Sequence, residues 1–330
     1  MIVLFTSTRD LSTNRIIDWL SFFNNEYYRI NDNFIVKDAD EPMILIGCDE
    51  TKISNILKIE LNNNVVFFRR PRNNGLDFIT SIRKSNSNVL NTILEKQKKS
   101  SKIVKEFIVD YIISHGKRTI GDYYKTKLNK LKVLNKARTI GLKIPDTIVS
   151  SSALQVCHFF HQHNKRIINK PVEEVLSYFG NSNRFAYHAS TILITKEHQI
   201  FEKDFSISLF QEYIEKQYEL RIFYFCGEIF AAAIFSQQNK KTIVDFRNYD
   251  INNPNKIVPY SLPASVVLKL EKLMVSLGLN TGSIDMLVDN NDQYYFLEIN
   301  PIGQYGFISK LCNSDLDYII AQKLSHYDQK

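Results

Sequence analysis

Apolar residues fall into two rhythms along the chain. Short, mostly apolar runs at Ile2 to Thr6, Tyr27 to Ile30, Met43 to Ile46 and Val65 to Arg69 have the length and composition of strands. Ile16, Ile17, Leu20 and Phe23 recur at helical spacing within Thr13 to Phe23, and a longer helical pattern with a charged face runs from Leu90 to Ser114. Strands alternating with helices in this way predict a small α/β domain over residues 1–118. Beyond it, Asn129-Lys130-Leu131 opens a helix that ends at Gly141, with Pro145 soon after, an ordinary stop signal. Strands are predicted at Arg166 to Lys170, at Gln211 to Ile214 and at Ala231 to Gln237. A helix over Ala264 to Leu277 places Val267, Leu270, Leu273 and Met274 on one face, and a last helix covers Leu316 to Leu324. The pattern as a whole predicts a mixed α/β (α+β) chain.

The most informative polar positions interrupt an apolar pair of runs between Gly282 and Gly306. Two strands joined by the polar turn Asp289-Asn290-Asn291-Asp292 are expected there. Pairing Val288 with Gln293 sets Asp285 opposite Phe296. Alternation then puts Phe296, Glu298 and Asn300 on one face, with Asp285 joining it. In this register Asp285 and Glu298 lie diagonally, roughly 7–8 Å apart at the backbone. Three oxygen donors with no histidine or thiolate beside them suit a hard cation such as Mg²⁺. A one-residue slip would turn Asp285 away. The plain alternative is a polar hairpin with a solvated outer face.

Composition narrows the function classes. At 330 residues the chain can hold two or three compact units, and 44% apolar content is ordinary for a globular protein. The net charge of +7 comes from Lys and Arg interspersed with Asp and Glu. The one basic block, Lys96 to Lys99, is too short to argue for nucleic acid, and a basic face for a nucleotide or an acidic peptide serves equally well. No run approaches the length of a membrane span, and MIVLFTSTRD lacks the pattern of a signal peptide. Cys48, Cys157, Cys226 and Cys312 are scattered, with the spacing of neither a disulfide framework nor a zinc site. They read as small buried residues in a reducing cytoplasm.

Several stretches carry a resemblance. FLEINPIGQYG, GSID and QEYIEKQYELR, with NKLKVLNKARTIGLKIPDT and the Lys170-Pro171 pair, resemble the ATP-grasp ligases. They are most similar to the ATP-grasp maturases of ribosomal peptides of the grasp-with-spasm type, which make graspetides (ω-ester-containing peptides). The resemblance implies an ATP-grasp fold. Residues 1–118 would form an N-terminal α/β pre-ATP-grasp domain. Residues 119–330 would form the ATP-grasp domain, with a central subdomain over about 119–205 and a C-terminal subdomain over about 206–330. It also assigns roles. Lys130 and Lys170 would meet the ATP phosphates, the backbone of Glu212, Tyr213 and Ile214 would hold adenine, and Glu219 would hold the ribose hydroxyls. Asp285, Glu298 and Asn300 would bind Mg²⁺, as two ions, while Arg221 and Arg247 would steady an acyl phosphate. Arg69 and Arg70 match an arginine pair of the same maturases. One departure stands out. The glycine-rich phosphate loop of the wider superfamily is replaced by VEEVLSYFGNSNRFAYHAST, which leaves residues 179–184 as substitutes. The stretch Ser190 to Lys203 is a candidate for gripping a leader peptide.

The activity this implies is an ATP-dependent carboxylate ligase. It would activate Asp or Glu side chains of a ribosomal precursor peptide as acyl phosphates and crosslink them to Thr or Ser hydroxyls or Lys amines. The partner is then the precursor, leader and core, with neither nucleic acid nor membrane, and a homodimer is the assembly the resemblance suggests. Two other readings stay open. One is an ATP-grasp ligase that adds an amino acid to a small molecule or a protein tail. The other is a catalytically dead nucleotide-binding module that recognises a peptide.

Overall fold

The computed structural model describes residues 1–8, 10–31, 43–46, 51–54, 63–70, 88–172, 178–179, 186–187, 191–201, 206–247 and 250–329. Two compact units divide the chain. The first comprises Met1–Lys127, Leu279–Thr281 and Asp315–Lys330, and the second Leu128–Gly278 and Gly282–Ser314.

In the first unit, β1 (Ile2–Thr6) is followed by α1 (Leu11–Phe22), β2 (Tyr27–Asn31), β3 (Met43–Ile46), β4 (Thr51–Ser54), β5 (Val65–Phe68), α2 (Asn88–His115) and β6 (Arg118–Ile120). The main sheet has the order β2-β1-β5-β6 with parallel pairing throughout, and β3 and β4 form an antiparallel pair. All five residues of β1 and all four of β5 are buried. That is why these strands read as unbroken apolar runs: a parallel sheet is covered on both faces. On one side Ile108, Val109 and Ile112 of α2 pack against Val3, Phe5 and Val66. The C-terminal helix, Leu316–Gln329, belongs to this unit, where Tyr318 meets Trp19 of α1 edge-on and Asp328 binds the N-terminal amine at 2.7 Å. Helix α1 begins two residues earlier than its apolar spacing suggests because Asp10 caps it, accepting from the Ser12 N–H. Arg69 and Arg70 stand beside that aspartate, Arg70 at 3.9 Å. Burial would raise the Asp10 carboxyl. The two arginines and the Ser12 and Thr13 hydroxyls outweigh it and hold the group below the usual carboxylate range.

The second unit begins with α3 (Lys130–Ile140), β7 (Thr147–Ser150), α4 (Ala153–Gln162) and β8 (Ile167–Lys170). Then come β9 (Tyr178–Phe179), β10 (Ala186–Tyr187), β11 (Ile192–Ile194), α5 (His198–Phe201) and β12 (Ser208–Glu212). Gly141 ends α3 with φ of 90°, a left-handed cap that fits glycine best. An antiparallel sheet in the order β11-β8-β12-β7 is backed by α4 and α5 through Val156, Phe160, Ile194, Ile200 and Phe210. The rest of the unit is β13 (Lys216–Phe225), β14 (Glu228–Phe235), β15 (Lys256–Tyr260), α6 (Ala264–Ser276), β16 (Thr281–Asp289), β17 (Tyr294–Asn300) and α7 (Gly306–Leu311). Its five-stranded sheet has the order β15-β14-β13-β16-β17. Strand β15 carries Pro259 and lies at the sheet edge, where a missing N–H does no harm. Sequence reasoning placed no strand here. Residues 180–185 and 188–190, which include most of the expected phosphate-loop substitutes, lie outside the described residues. No helix among the described residues is long and apolar enough to cross a membrane.

Candidate active site

The β16–β17 hairpin departs from the expected register by one residue in each of two places, and the two steps together return Asp285 to the expected face. Val288 pairs with Tyr294 rather than Gln293, and Met286 with Phe296. A bulge at Leu297 then shifts the pairing, so Asp285 lies directly opposite Glu298 and Ser283 opposite Asn300. Asp285 and Glu298 are therefore cross-strand partners, not a diagonal pair. Phe296 goes with Met286 to the buried face, where both are fully enclosed, and does not share the face of Glu298 and Asn300. The slip at the turn would have turned Asp285 away; the extra residue in β17 brings it back.

Cations converge on these two carboxylates. Arg221, from β13 beside β16, donates Nη1–H to Asp285 Oδ1 at 2.6 Å and Nη2–H to the Gln304 carbonyl at 3.4 Å. Lys130 Nζ, at the start of α3, is 3.2 Å from Glu298 Oε2, and Arg247 Nη1 is 3.7 Å from Glu298 Oε1. Lys170 ends β8 near the same group. Burial pushes its ammonium down to about 8; Glu298 works against that shift, while Lys130 and Arg247 add to it. Burial would raise the Glu298 carboxyl, but Lys130, Arg247 and Lys170 outweigh it and hold the group below its ordinary value. Asp285 moves the other way. Burial raises it, Arg221 offsets only part of that, and the neighbouring Glu298 charge pushes in the same direction as burial.

Arg247 is held by a residue that sequence reasoning had not singled out. Asp245 accepts from Arg247 Nε at 2.9 Å and Nη2 at 2.8 Å, a two-pronged grip that leaves Nη1 facing Glu298. Thr191 donates to the same carboxylate at 3.1 Å. Burial would raise Asp245, but the Arg247 bonds and charge and the Thr191 hydroxyl bring it down to about 2. The Asp-Phe-Arg spacing, two carriers of opposite charge two residues apart, was the available signal. Asn300 Oδ1 accepts the Ile302 N–H at 2.9 Å, an Asx turn that folds the Pro301 corner and leaves the oxygen a second lone pair. Gly303 is required by space in that corner: a Cβ there would meet Ser283 Oγ at 2.0 Å and Ser283 N at 2.5 Å.

The hinge residues are locally engaged. Glu212 Oε1 accepts the Asp146 N–H at 3.0 Å, and the Tyr213 N–H donates to the Arg166 carbonyl at 3.2 Å. The Arg166 guanidinium lies over the Tyr213 ring, 4.2 Å from its centre. Ile214 lies between β12 and β13 and is partly exposed. Glu219 is buried, and its Oε1 accepts from Lys216 Nζ at 2.7 Å and Ser236 Oγ at 2.8 Å. Burial raises its carboxyl despite Lys216. Lys216 and Ser236 are further members of the site that sequence reasoning passed over; the i, i+3 pairing of Lys216 with Glu219 was legible only once both were known to be enclosed.

Chemically, four cations (Lys130, Lys170, Arg221 and Arg247) meet three carboxylates (Asp245, Asp285 and Glu298) on one side of the unit. The donors of Asp285, Glu298 and Asn300 are all oxygen and suit Mg²⁺, and the surplus positive charge suits phosphate.

No protein-family model and no curated protein matches the chain. Solved structures do. A Chryseobacterium gregarium RiPP-associated ATP-grasp ligase, in complex with ADP and a leader and core peptide, aligns with a TM-score of 0.75 at 20% identity, covering 98% of this chain and 96% of that one. The macrocyclase MdnC from Microcystis aeruginosa MRC, bound with the precursor peptide MdnA, aligns at 0.73 with 26% identity, covering 99% and 100%. The ATP-grasp ligase PsnB, complexed with a phosphomimetic variant of a minimal precursor, Mg and ADP, aligns at 0.70 with 15% identity, covering 99% and 98%. The chain has the ATP-grasp ligase fold of these proteins, as the resemblance implied.

Proposed function

We propose that this chain is an ATP-dependent ligase that joins Asp or Glu side-chain carboxyls of a ribosomally made precursor peptide to Thr or Ser hydroxyls or Lys amines of the same peptide. The observation that carries the reading is the gathering of Lys130, Lys170, Arg221 and Arg247 around Asp285 and Glu298. It occurs in a chain that aligns end to end with ligases bound to ADP and precursor peptides. An ATP-dependent enzyme of this kind works in the cytoplasm, where ATP and the nascent peptide are both present.

A carboxylate resists attack by a hydroxyl or amine at neutral pH. Transfer of the ATP γ-phosphoryl group to a carboxylate oxygen, with ADP leaving, gives an acyl phosphate. The peptide hydroxyl or amine then attacks the acyl carbon, inorganic phosphate leaves and a proton is released, closing a ring at the net loss of one water. Phosphoryl transfer of this kind depends on positioning and charge neutralisation. Lys130 and Lys170 supply point charges for the phosphates. Arg221, fixed by Asp285 and the Gln304 carbonyl, presents a planar fork toward the same face, and Arg247 is aimed by Asp245. Asp285, Glu298 and Asn300 would hold Mg²⁺. When bound, the metal supplies further neutralisation of phosphate charge.

The test is mass spectrometry of candidate precursor peptides encoded beside this gene, incubated with the protein, ATP and Mg²⁺. Stepwise loss of one water per crosslink is the expected result, and hydroxide treatment then tells ester from amide. Unchanged peptide with ATP hydrolysed in the presence of another acceptor would replace this reading with a small-molecule or tail ligase. No hydrolysis under any condition would leave a binding module.

A further inference from the structure

The motif CHFFHQH, residues 157–163, has no part in the site described above. It holds three of the chain's seven histidines and one of its four cysteines, a density of Cys and His that is characteristic of metal-binding tracts. The structure separates its members. His163 faces the hinge, 3.7 Å from Glu212 and 3.9 Å from Asp146, and His158 is bonded to Gln162 at 2.9 Å. Cys157 and His161 remain. They lie one turn apart on α4, which puts both on the same face of the helix. Val156, Phe159 and Phe160 are buried in the core beneath the β11-β8-β12-β7 sheet, and Cys157 packs in part against that core.

A third donor comes from a different element. Glu197, in the turn between β11 and α5, accepts from Cys157 Sγ at 3.1 Å through Oε1 and lies 3.2 Å from His161 Nε2 through Oε2. One ligand atom from each of the three residues falls within 4.8 Å of the others. The reading of the cysteines as small buried residues does not hold for Cys157, which is only partly buried and donates to a residue forty positions away. Only the helical step to His161 was visible in the sequence.

We propose that Cys157, His161 and Glu197 form a second metal site, selective for a borderline-soft divalent cation of the Zn²⁺ class and separate from the Mg²⁺ site. Sulfur, imidazole nitrogen and one carboxylate oxygen are zinc donors, whereas the all-oxygen set of Asp285, Glu298 and Asn300 is not. Zinc bonds of about 2.3 Å to sulfur and about 2.0–2.1 Å to nitrogen hold the donors of a tetrahedral site roughly 3.5 Å apart, inside the 4.8 Å within which these three atoms lie. These side chains reach solvent and can turn to close the difference. Three protein donors leave a fourth position for water.

The protons balance. In the metal-free state the Cys157 thiol and the His161 imidazole both point at an ionised Glu197. Binding replaces the S–H proton by the metal and releases it to solvent, while His161 keeps one proton by moving it to Nδ1. The metal then ties the β11–α5 turn to α4. That turn lies within the stretch 190–203, marked by resemblance for contact with a leader peptide. Zinc would make this face stiffer without touching the reaction centre.

The experiment uses the full-length protein, stripped of metal and titrated with Co²⁺ in the presence of excess Mg²⁺ to fill the oxygen-donor site. One equivalent of Co²⁺ is expected to give a thiolate-to-cobalt charge-transfer band and visible bands of tetrahedral intensity, both erased by Zn²⁺. Cys157→Ser should lose the charge-transfer band, and His161→Ala should weaken Zn²⁺ binding by at least about tenfold, since even indirect supports of a metal ligand are worth that much. His161 is exposed and Cys157→Ser is nearly isosteric, so far-ultraviolet circular dichroism should be unchanged. A wild-type protein with no charge-transfer band would overturn the proposal. So would a band that survives undiminished in Cys157→Ser, which would move the thiolate to another cysteine.

Discussion

Arg221 and Asp285 meet across the neighbouring strands β13 and β16, guanidinium to carboxylate at 2.6 Å, with a second guanidinium nitrogen on the Gln304 carbonyl. The contact ties a carboxylate expected to hold metal to an arginine expected to hold phosphate, so the two roles are built as one unit. Arg221 Nε is buried and has no hydrogen-bond partner among the described residues. Arg221→Lys keeps the charge but cannot make both bonds in the plane of a fork. Its kcat is expected to fall by about 100-fold, the cost of one donor aimed at developing charge, while ATP still binds. Single-turnover kinetics checks this. A wild-type rate in the lysine variant would take Arg221 out of the reaction centre.

Glu298 is the point at which Lys130 and Arg247 converge. Glu298→Gln keeps the shape and removes the charge that would hold Mg²⁺. ATP turnover is expected to drop by about 100-fold or more, close to 3 kcal/mol of transition-state stabilisation. Precursor peptide should bind with its wild-type affinity. Titration calorimetry with peptide and a coupled ADP assay measure the two separately, and undiminished turnover would rule out Glu298 as a metal ligand.

Lys170 gives the site a basic limb in its pH profile. Its ammonium titrates at about 8 in the free protein. Below that value it is charged and attracts the ATP phosphates; as pH rises through it the charge is lost. The ratio kcat/KM for ATP, which reports the free enzyme, is expected to be level below pH 8 and to fall above it. Glu298, ahead of Asp245, supports the charge on Lys170, so the limb should move to lower pH in Glu298→Gln. In Lys170→Arg it should vanish, since guanidinium stays charged throughout. A limb that stays in place in Lys170→Arg belongs to another residue.

Much of this site could be read from the chain, and the parts that could not have physical reasons. Helix α3 was bounded by Asn129 and Gly141 because a cap and a left-handed stop are local features that residue type encodes. The face shared by Asp285 and Glu298 was also legible, but by compensation. Turn geometry moved the pairing by one residue and the bulge at Leu297 moved it by one more in the same direction, which restores the face, and neither has a clear residue signature in YYFLEIN. Strand β15 was hidden by Pro259, whose tolerance depends on lying at an edge, a property of the whole sheet. Asp245 and Lys216 were passed over for the same reason. A charged residue looks like a solvated one until its surroundings are known, and part of what encloses these two, Thr191 beside Asp245 and the Val244 carbonyl beside Lys216, comes from distant parts of the chain.

Gly303 is a steric requirement, not a conformational one. A Cβ at this position would fall 2.5 Å from the Ser283 backbone nitrogen, so no rotamer change relieves it. Gly303→Ala must push the Pro301 corner away from β16, disturbing Asn300 and the Gln304 carbonyl that receives Arg221. Overpacking of this kind costs about 1–3 kcal/mol. The variant is expected to unfold at lower denaturant concentration and to lose most of its ATP turnover. Ser283→Gly should not restore it, because the clash with backbone remains. Rescue by Ser283→Gly would mean that the corner yields by side-chain movement alone.

Glu219 distinguishes a ligand-binding group from a structural one. Its Oε1 is bonded to Lys216 and Ser236, and Lys216 has the Val244 carbonyl at 3.2 Å as a further partner. Both charged side chains are buried. Removing one member of such a pair leaves the other enclosed without its counter-charge, at a cost of about 3–5 kcal/mol. Glu219→Gln is therefore expected to lower the stability of this unit strongly, with the KM for ATP changed only as far as folding is lost. If Glu219 mainly held the ribose, the same substitution would leave denaturation unchanged and raise the KM for ATP. Chemical denaturation beside ATP kinetics on one preparation separates the two outcomes. The double variant Glu219→Gln with Lys216→Met tests the cause: it removes the stranded ammonium, so it should recover a large part of the lost stability while leaving Ser236 in place.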